Sequence, residues 1–277
     1  MPVIAMTQEM GSLAKDVALQ LADTLGLSIM RHEVVEHVAE RMNVHKSLIS
    51  RLRGGKAGLV ERLTTDRLSV EVFTAEELFA QADRGNIVLR GWGATVLLRP
   101  VPHVLCVRIT RPLKQRVEWL MEHLGTEDFA SAEAEVQRSD NAHAARMNAQ
   151  FGVTWGDPQL YDMVLNTERV SVDSCVEQIR QMLARPEFTE TAASHALLAD
   201  MALAARVRAA LLDDDATHSI RVTVESHGGR IKLSGIVVDD DERSRTVNVA
   251  AAVRGVNGVD DGLKSMAAAK KFPAARF

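Results

Sequence analysis

The apolar positions of the first 25 residues follow two patterns in succession. Val3 to Thr7 is a short, largely apolar run that suits a buried strand. Ser12 to Leu25 then carries Leu13, Val17, Ala18, Leu21 and Leu25 at helical spacing, which predicts a helix with one apolar face. Gly11 stands in the tight turn between them, and a strand, such a turn and a helix is how a phosphate-binding α/β domain begins. Residues 33–82 read as helical and polar. Asn86 to Leu89 and Val104 to Ile109 are the next strand candidates, and a helix after Pro112 runs to Leu124, closed by Gly125. Residues 128–150 read as a charged, Ala-rich helix, Met163 to Leu165 as a short strand, and Val172 to Leu183 as a helix stopped by Pro186. Strands alternating with helices predict an α/β fold, a mostly parallel sheet with helices on both faces.

The pattern changes beyond Pro186. Residues 186–197 show no strong periodicity after a helix stop and read as a linker. Ala199 to Leu212 reads as a helix ending in the acidic run Asp213-Asp214-Asp215. Ile220, Val222 and Val224 alternate with polar residues as in a half-buried strand. Gly228-Gly229 supplies a hairpin turn into Ile231, Leu233 and Ile236; a helix over Asp241 to Val253 and a strand over Val259 to Ser265 follow. The expected organisation is therefore a domain over 1–185, a linker over 186–197, a small α+β unit over 198–266 and a frayed tail over 267–277.

Composition narrows the function. The 277 residues are 46% hydrophobic and 25% charged, an ordinary globular balance, and the scarce aromatics (4%) leave the core to Ala, Val, Leu, Ile and Met. A formal charge of -4 argues against a nucleic-acid footprint over the whole chain. Cys106 and Cys175 lack metal-ligand spacing and read as small buried hydrophobes. His32, His37, His45 and His103 make no metal set, so no metal ligands are expected. The N-terminus has no basic leader, and the most apolar region, Ile87 to Ile109, is broken by Arg90, Arg99, Pro100 and Pro102. A soluble, cytoplasmic chain with no membrane span is the expectation.

The candidate chemistry lies in Thr7-Gln8-Glu9-Met10-Gly11-Ser12-Leu13-Ala14-Lys15-Asp16-Val17. A working phosphate loop needs glycines whose neighbouring N–H groups face the phosphates, a lysine for the β/γ-phosphates and a Ser/Thr for Mg²⁺. Four other segments stand beside it: Arg90-Gly91-Trp92-Gly93-Ala94; Val107-Arg108-Ile109 with Pro112 and Arg116; Asp140 through Gly152, Trp155 and Asp157-Pro158; and Tyr161 to Thr167. In order and spacing these pieces resemble the cytidylate-kinase-like family, a divergent branch of the nucleoside monophosphate kinases, over about residues 1–185.

The resemblance implies a P-loop kinase-like fold, with ATP and Mg²⁺ as cofactors where the site works. It places Gly11, Ser12, Leu13, Ala14, Lys15 and Asp16 in the cofactor loop, Lys15, Arg138 and Arg146 in catalytic positions, and Arg90, Trp92 and His143 at the substrate. Several positions depart from the family's pattern. Leu13 and Ala14 replace glycines of a Ser-Arg-Glu-Tyr-Gly-Ser-Gly-Gly opening, and each Cβ restricts φ and crowds an anion. Lys15 comes one position later than a Walker lysine, and Asp16 stands near the expected magnesium hydroxyl. Trp92 takes an arginine position, His143 another, and Arg146 a tyrosine position. Two readings stay open: Ser12, Lys15, Arg90, Arg138 and Arg146 hold phosphates in a rearranged site, or they are solvated charges around a dead one.

Val34 to Lys56 looks like a helix-turn-helix in isolation, with Asn43-Val44 at the turn, Ser47 to Arg53 as a recognition helix, and the basic residues Lys46, Arg51, Arg53, Lys56 and Arg62, clustered around Gly54-Gly55, suited to phosphate contacts. The family carries helices of similar character there, the segment lacks a core of its own, and DNA is not the expected partner. Residues 198–266 resemble a BON domain, carried by Val207-Arg208-Ala209-Ala210-Leu211, Ile220 to Val224, Ile231 to Val237, Glu242-Arg243, Val253-Arg254-Gly255-Val256 and Gly258-Val259. That resemblance implies a binding module, for membranes, for small ligands or ions, or for other BON domains, and a protein partner or self-association is the expectation here. Three functions follow as expectations: a degenerate nucleotide binder or sensor coupled to the BON unit, an active (d)CMP/NMP kinase using the ATP γ-phosphate, or a structural or assembly protein without nucleotide binding.

Overall fold

The computed structural model describes residues 1–30, 33–53 (Arg53 by its backbone), 56–58, 60–61 and 65–266. His32, Gly54, Gly55, Arg62 and the expected tail over 267–277 lie outside the described residues.

Five strands, β1 (Val3–Gln8), β2 (Ser28–Ile29), β3 (Ile87–Arg90), β4 (Val104–Thr110) and β5 (Met163–Asn166), pair in parallel in the order β2-β3-β1-β4-β5. β1 is central, with Val3 in register with Ile87 on one side and Val104 on the other. Its apolar run is continuous because both faces are covered. Ile4, Met6, Val88, Leu105 and Val107 pack with α1 (Ala14–Leu25) and α8 (Val172–Leu183). Val3, Ala5, Leu89 and Cys106 face a second cluster with α2 (Glu33–Arg41), α3 (Lys46–Arg53) and α4 (Arg67–Arg84). A short α5 (Ala94–Leu97) follows β3, while α6 (Leu113–Leu124) and the long α7 (Phe129–Phe151) share a satellite core around Val117 and Val136. The helix-turn-helix look-alike is part of the main core: Val34, Val35, Val38, Ala39 and Ile49 are buried in it. Three of its cations among the described residues pair with carboxylates of the same chain, Lys46 with Glu36, Arg51 with Glu61 and Lys56 with Glu135.

The second sheet has the order β6-β7-β8, with β6 (Val222–His227) antiparallel to β7 (Arg230–Val237) and β8 (Gly258–Ser265) parallel to it. The β6–β7 turn uses Gly228 and Gly229 at φ 55° and 82°, the two positive values that a tight two-residue hairpin needs. A helix over Asp240–Ala252 makes the parallel crossover and is capped by the Asp239 carboxylate accepting from Glu242 N–H.

The expected linker is where the structure departs most from the sequence reading. A 3-10 turn occupies Pro186–Phe188, and α9 runs over Ala192–Asp213, starting well before Ala199. Thr191 and Ser194 form a reciprocal capping box at its start. Its periodicity is hidden because apolar residues lie on two sides, which leaves no single apolar stripe to detect. Among the described residues no helix is long and apolar enough to cross a membrane, and no three His, Cys, Asp or Glu side chains gather as a metal site.

Candidate functional site

In open parallel sheets, ligands bind beyond the carboxyl ends of the strands, and the loop after β1 and the turn after β3 both open there. The β1 loop reverses direction through Gly11 (φ 76°) and Leu13 (φ 60°), both in the left-handed region. A Cβ on Gly11 would come within 2.9 Å of the Arg116 carbonyl oxygen, so only glycine allows the loop to lie against α6. Leu13 has no such freedom, and its left-handed geometry costs about 1–2 kcal/mol. It immediately precedes α1 and provides no side-chain cap. Of the N–H groups in the first helical turn, those of Asp16 and Val17 both donate to the Leu13 carbonyl at 3.0 Å, which leaves those of Ala14 and Lys15 without an intrahelical acceptor. Ser12 is buried, its Oγ has no hydrogen-bond partner among the described residues, and its carbonyl accepts from Thr167 Oγ1 at 2.8 Å. Lys15 and Asp16 are exposed on the first turn.

Most of the arginines that could neutralise a phosphate are already occupied. Arg90 donates from Nε and Nη2 to Gln8 Oε1 at 3.2 and 2.9 Å; burial pushes its pKa down against the pull of Asp16. Arg138 lies one helical turn from Glu135 on α7 and donates to it from Nε and Nη2 at 3.0 and 2.6 Å. Arg146 differs. Burial pushes its guanidinium down, and no carboxylate pairs with it among the described residues. A cleft of about 340 Å³ between α4 and α7 is lined by Arg67, Glu71, Ala142, Ala145 and Arg146. A smaller adjoining cavity of about 50 Å³ brings Trp92, His143 and Met147 against the same Glu71 and Arg146. Burial also pushes the Glu71 carboxyl up, with Arg67 opposing. The clefts therefore unite Trp92, His143 and Arg146, whereas Arg90 and Arg138 are held on separate partners.

Trp92 (φ 58°) sits in the turn after β3 between Gly91 (φ 78°) and Gly93 (φ 76°), and packs against the main core. A Cβ on Gly93 would fall 2.4 Å from Phe151 Cε2, so the end of α7 rests on this turn. His143 lies over Trp155, ring centroids 4.2 Å apart and tilted by 32°.

A largely buried polar network joins Glu9, Arg108, Arg116, Asp140 and Trp155, which the sequence marks as pattern positions without roles. Glu9 Oε1 accepts from Arg108 Nη2 at 2.6 Å, and Oε2 accepts from Thr110 Oγ1 at 2.6 Å and from Arg111 N–H at 3.2 Å. Arg116 Nε lies 3.6 Å from Glu9 Oε2, and its Nη1 and Nη2 hold Asp140 at 3.1 and 2.8 Å. Burial pushes the Asp140 carboxyl up against that pull. Arg108 donates to the Trp155 carbonyl at 3.1 Å and lies 4.4 Å from the centre of its ring. Trp155 Nε1 donates to Thr7 Oγ1 at 3.0 Å. The loop, β4, α6, α7 and the segment around Trp155 are thus bound at one point. Burial of arginines at this point was the missing signal, because sequence alone marks them as surface charges.

Similarity to other proteins agrees with this geometry. Residues 3–169 match the model of the cytidylate kinase-like family, and residues 199–266 that of the BON domain. A cytidylate kinase of Ignicoccus hospitalis is 27% identical over 188 residues, spanning 66% of this chain and 99% of that protein. Another from Staphylothermus marinus is 23% identical over 137 residues, 50% of this chain and 76% of that protein. A crystal structure of an uncharacterized protein from Eubacterium ventriosum superposes with a TM-score of 0.51 at 20% identity, covering 67% of this chain and all (100%) of that one.

Proposed function

The chain belongs to the cytidylate kinase-like family, and we propose that its kinase-like nucleotide-binding domain holds a nucleotide as a signal rather than turning it over at a kinase's rate, with the BON unit as the surface that meets a protein partner or a second copy. The observation that carries this reading is the prior commitment of the arginines. Phosphoryl transfer is accelerated mainly by cations placed on the migrating charge. Arg90 is held by Gln8, Arg108 by Glu9, Arg116 by Glu9 and Asp140, and Arg138 by Glu135. Leu13 adds a side chain where the phosphates would approach the loop. Binding asks for less: the Ala14 and Lys15 N–H groups at the start of α1, the exposed Lys15 side chain, and Arg146 in the α4–α7 cleft suffice to attract a nucleotide's phosphates.

ATP and Mg²⁺ fit this loop in one respect. The Ser12 hydroxyl is buried without a partner among the described residues, and it and the Asp16 carboxylate are the oxygen donors that the loop would offer a magnesium ion. The ion would supply charge neutralisation at the β- and γ-phosphates. A second reading, a working nucleoside monophosphate kinase acting on CMP or a related acceptor, is favoured by the 27% identity to a cytidylate kinase over nearly its whole length, 99%. Titration with ATP, ADP and CMP, followed by thermal shift and by coupled turnover, separates the two. A shift with turnover below about 1% of an ordinary kinase rate of ~1–100 s⁻¹ supports the sensor. Turnover within that range establishes the kinase, and no shift with any nucleotide rejects both in favour of an assembly role.

A further inference from the structure

The helix α9 has two apolar faces that belong to two different cores. Leu198, Ala202, Ala205 and Ala209 are buried in the main cluster of the nucleotide domain, with Phe73, Leu78, Phe79 and Ala82 of α4. Leu203, Ala204, Val207 and Leu211 are buried in the cluster of the second sheet, with Val224, Ile231, Leu233 and Leu263. At about 100° per residue the two sets lie on opposite sides of one helix, roughly 180° apart. The side toward α4 is mostly alanine, which lets two helices approach at close range. A helix that is apolar all round is a buried element, and its net amphipathicity cancels.

Polar contacts fix α9 to both bodies along its length. At the start, Ser194 Oγ lies 2.8 Å from Nδ1 of the buried His103, which precedes β4. Just before it, Glu190 holds the ammonium of Met1 beside β1. Asp200 accepts from Ser226 Oγ at 2.8 Å and Gly228 N–H at 3.0 Å, holding the β6–β7 turn. Arg206 Nη1 donates to the Arg254 carbonyl at 2.8 Å, and Asp213 at the far end pairs with Arg41 of α2 at 3.9 Å.

We propose that α9 is a shared strut which makes the nucleotide domain and the BON unit one cooperative body, and which passes occupancy of the α4–α7 cleft to the BON sheet. The connection is short. α4 supplies Arg67, Val70 and Glu71 to the cleft, and Phe73, Leu78 and Phe79 to the core it shares with α9. A ligand that moves α4 by a fraction of an ångström must move or strain α9, because packed helices offer few alternative arrangements. The cooperative half stands on packing alone, and the transmitting half rests on the nucleotide reading above.

Two measurements on the full chain separate these halves. Leu198→Ala empties space only on the nucleotide side, and Val207→Ala only on the BON side. Under the proposal each variant lowers a single calorimetric transition, by about 5–10 °C for the leucine and less for the valine. Each also speeds amide exchange in β1–β4 and β6–β8 by the same factor under native conditions. Two resolved transitions, or Leu198→Ala exchange confined to the first sheet, overturn it. If Leu198→Ala fails to fold, Ala205→Gly gives the same comparison at smaller cost. ATP and CMP at saturating concentration are the probes for transmission. Slowed exchange in α4 that extends to β6–β8 is the expected result. Slowing in α4 alone overturns transmission; no slowing in α4 at all overturns the nucleotide reading and the transmission that rests on it, while leaving the shared strut to the first measurement.

Discussion

The Glu9 carboxylate, last residue before the loop turns, receives the Arg108 guanidinium at 2.6 Å with both side chains almost removed from water, 12% and 8% exposed. Glu9 also faces Arg116, so one anion stands between two buried cations. Glu9→Gln keeps the shape and removes the charge. Breaking a buried ion pair on one side costs about 3–5 kcal/mol, because the remaining cation is left without compensation. The midpoint of urea unfolding should fall accordingly. A loss under about 1 kcal/mol would show that Asp140 and the Trp155 carbonyl carry the arginines unaided.

Leu13→Gly should tighten nucleotide binding. It clears the side chain from the approach to the loop N–H groups, while relief of the left-handed strain, about 1–2 kcal/mol, goes to the stability of the folded chain, free and bound alike. Calorimetric titration with ATP should show the affinity rising, and the urea midpoint of the free variant should rise as well. Unchanged affinity would mean that the side chain at 13 is not what weakens the loop.

Arg146→Ala should abolish the thermal shift produced by nucleotide while altering the stability of the free chain by less than about 1 kcal/mol. The guanidinium is partly buried and burial already pushes it down, so its removal also lifts a desolvation cost. A full ligand shift in this variant would move the binding site away from the α4–α7 cleft.

Acid should weaken the joint between β4 and α9. Burial holds the His103 imidazole below its ordinary value of 6.5, with Glu190 pulling it up and the N-terminal ammonium and His195 pushing it down. The unfolded chain then binds the extra proton at higher pH than the folded chain does. Stability is whole above pH 6.5 and declines as pH falls from there toward the lowered native value. His103→Gln should flatten this acid limb in denaturation midpoints compared between pH 5 and 7.5, and an unaltered slope would exclude the histidine as its source.

Neither thiol should react in the native state. Burial pushes Cys106 up to about 12, with Asp162 adding to it, and Cys175 is pushed up for the same reason. A disulfide-exchange reagent at pH 8 should therefore label the chain only at the rate of unfolding.

Much of the architecture was legible from periodicity where one face of an element is apolar. Val172–Leu183 was bounded at both residues by its pattern, its start and the Pro186 stop. β1 and β4 were visible as apolar runs because the sheet is covered on both sides. α9 is legible only from Ala199 to Leu212 because its two faces cancel. Ser28–Ile29 is too short to leave a pattern. At the site, sequence marked positions but not partners. The Arg138–Glu135 pair was readable in principle from its i, i+3 spacing. The pairing of Arg108 with Glu9 joins residues far apart in sequence, and only the adjacency of β1 and β4 brings them together.

The opposed faces of α9 also bear on how such a chain can be rearranged. The two family matches leave residues 170–198 unassigned between them, as though the halves were beads that recombination could exchange. They are not interchangeable at that seam. An incoming BON unit would have to bring a first helix whose side toward α4 is built mostly of alanine, as Ala202, Ala205 and Ala209 are here beside Leu198. A nucleotide domain cut off before Ala192 would carry an uncovered greasy stripe and associate with whatever matched it. The two halves of this chain are therefore cut to each other along one helix.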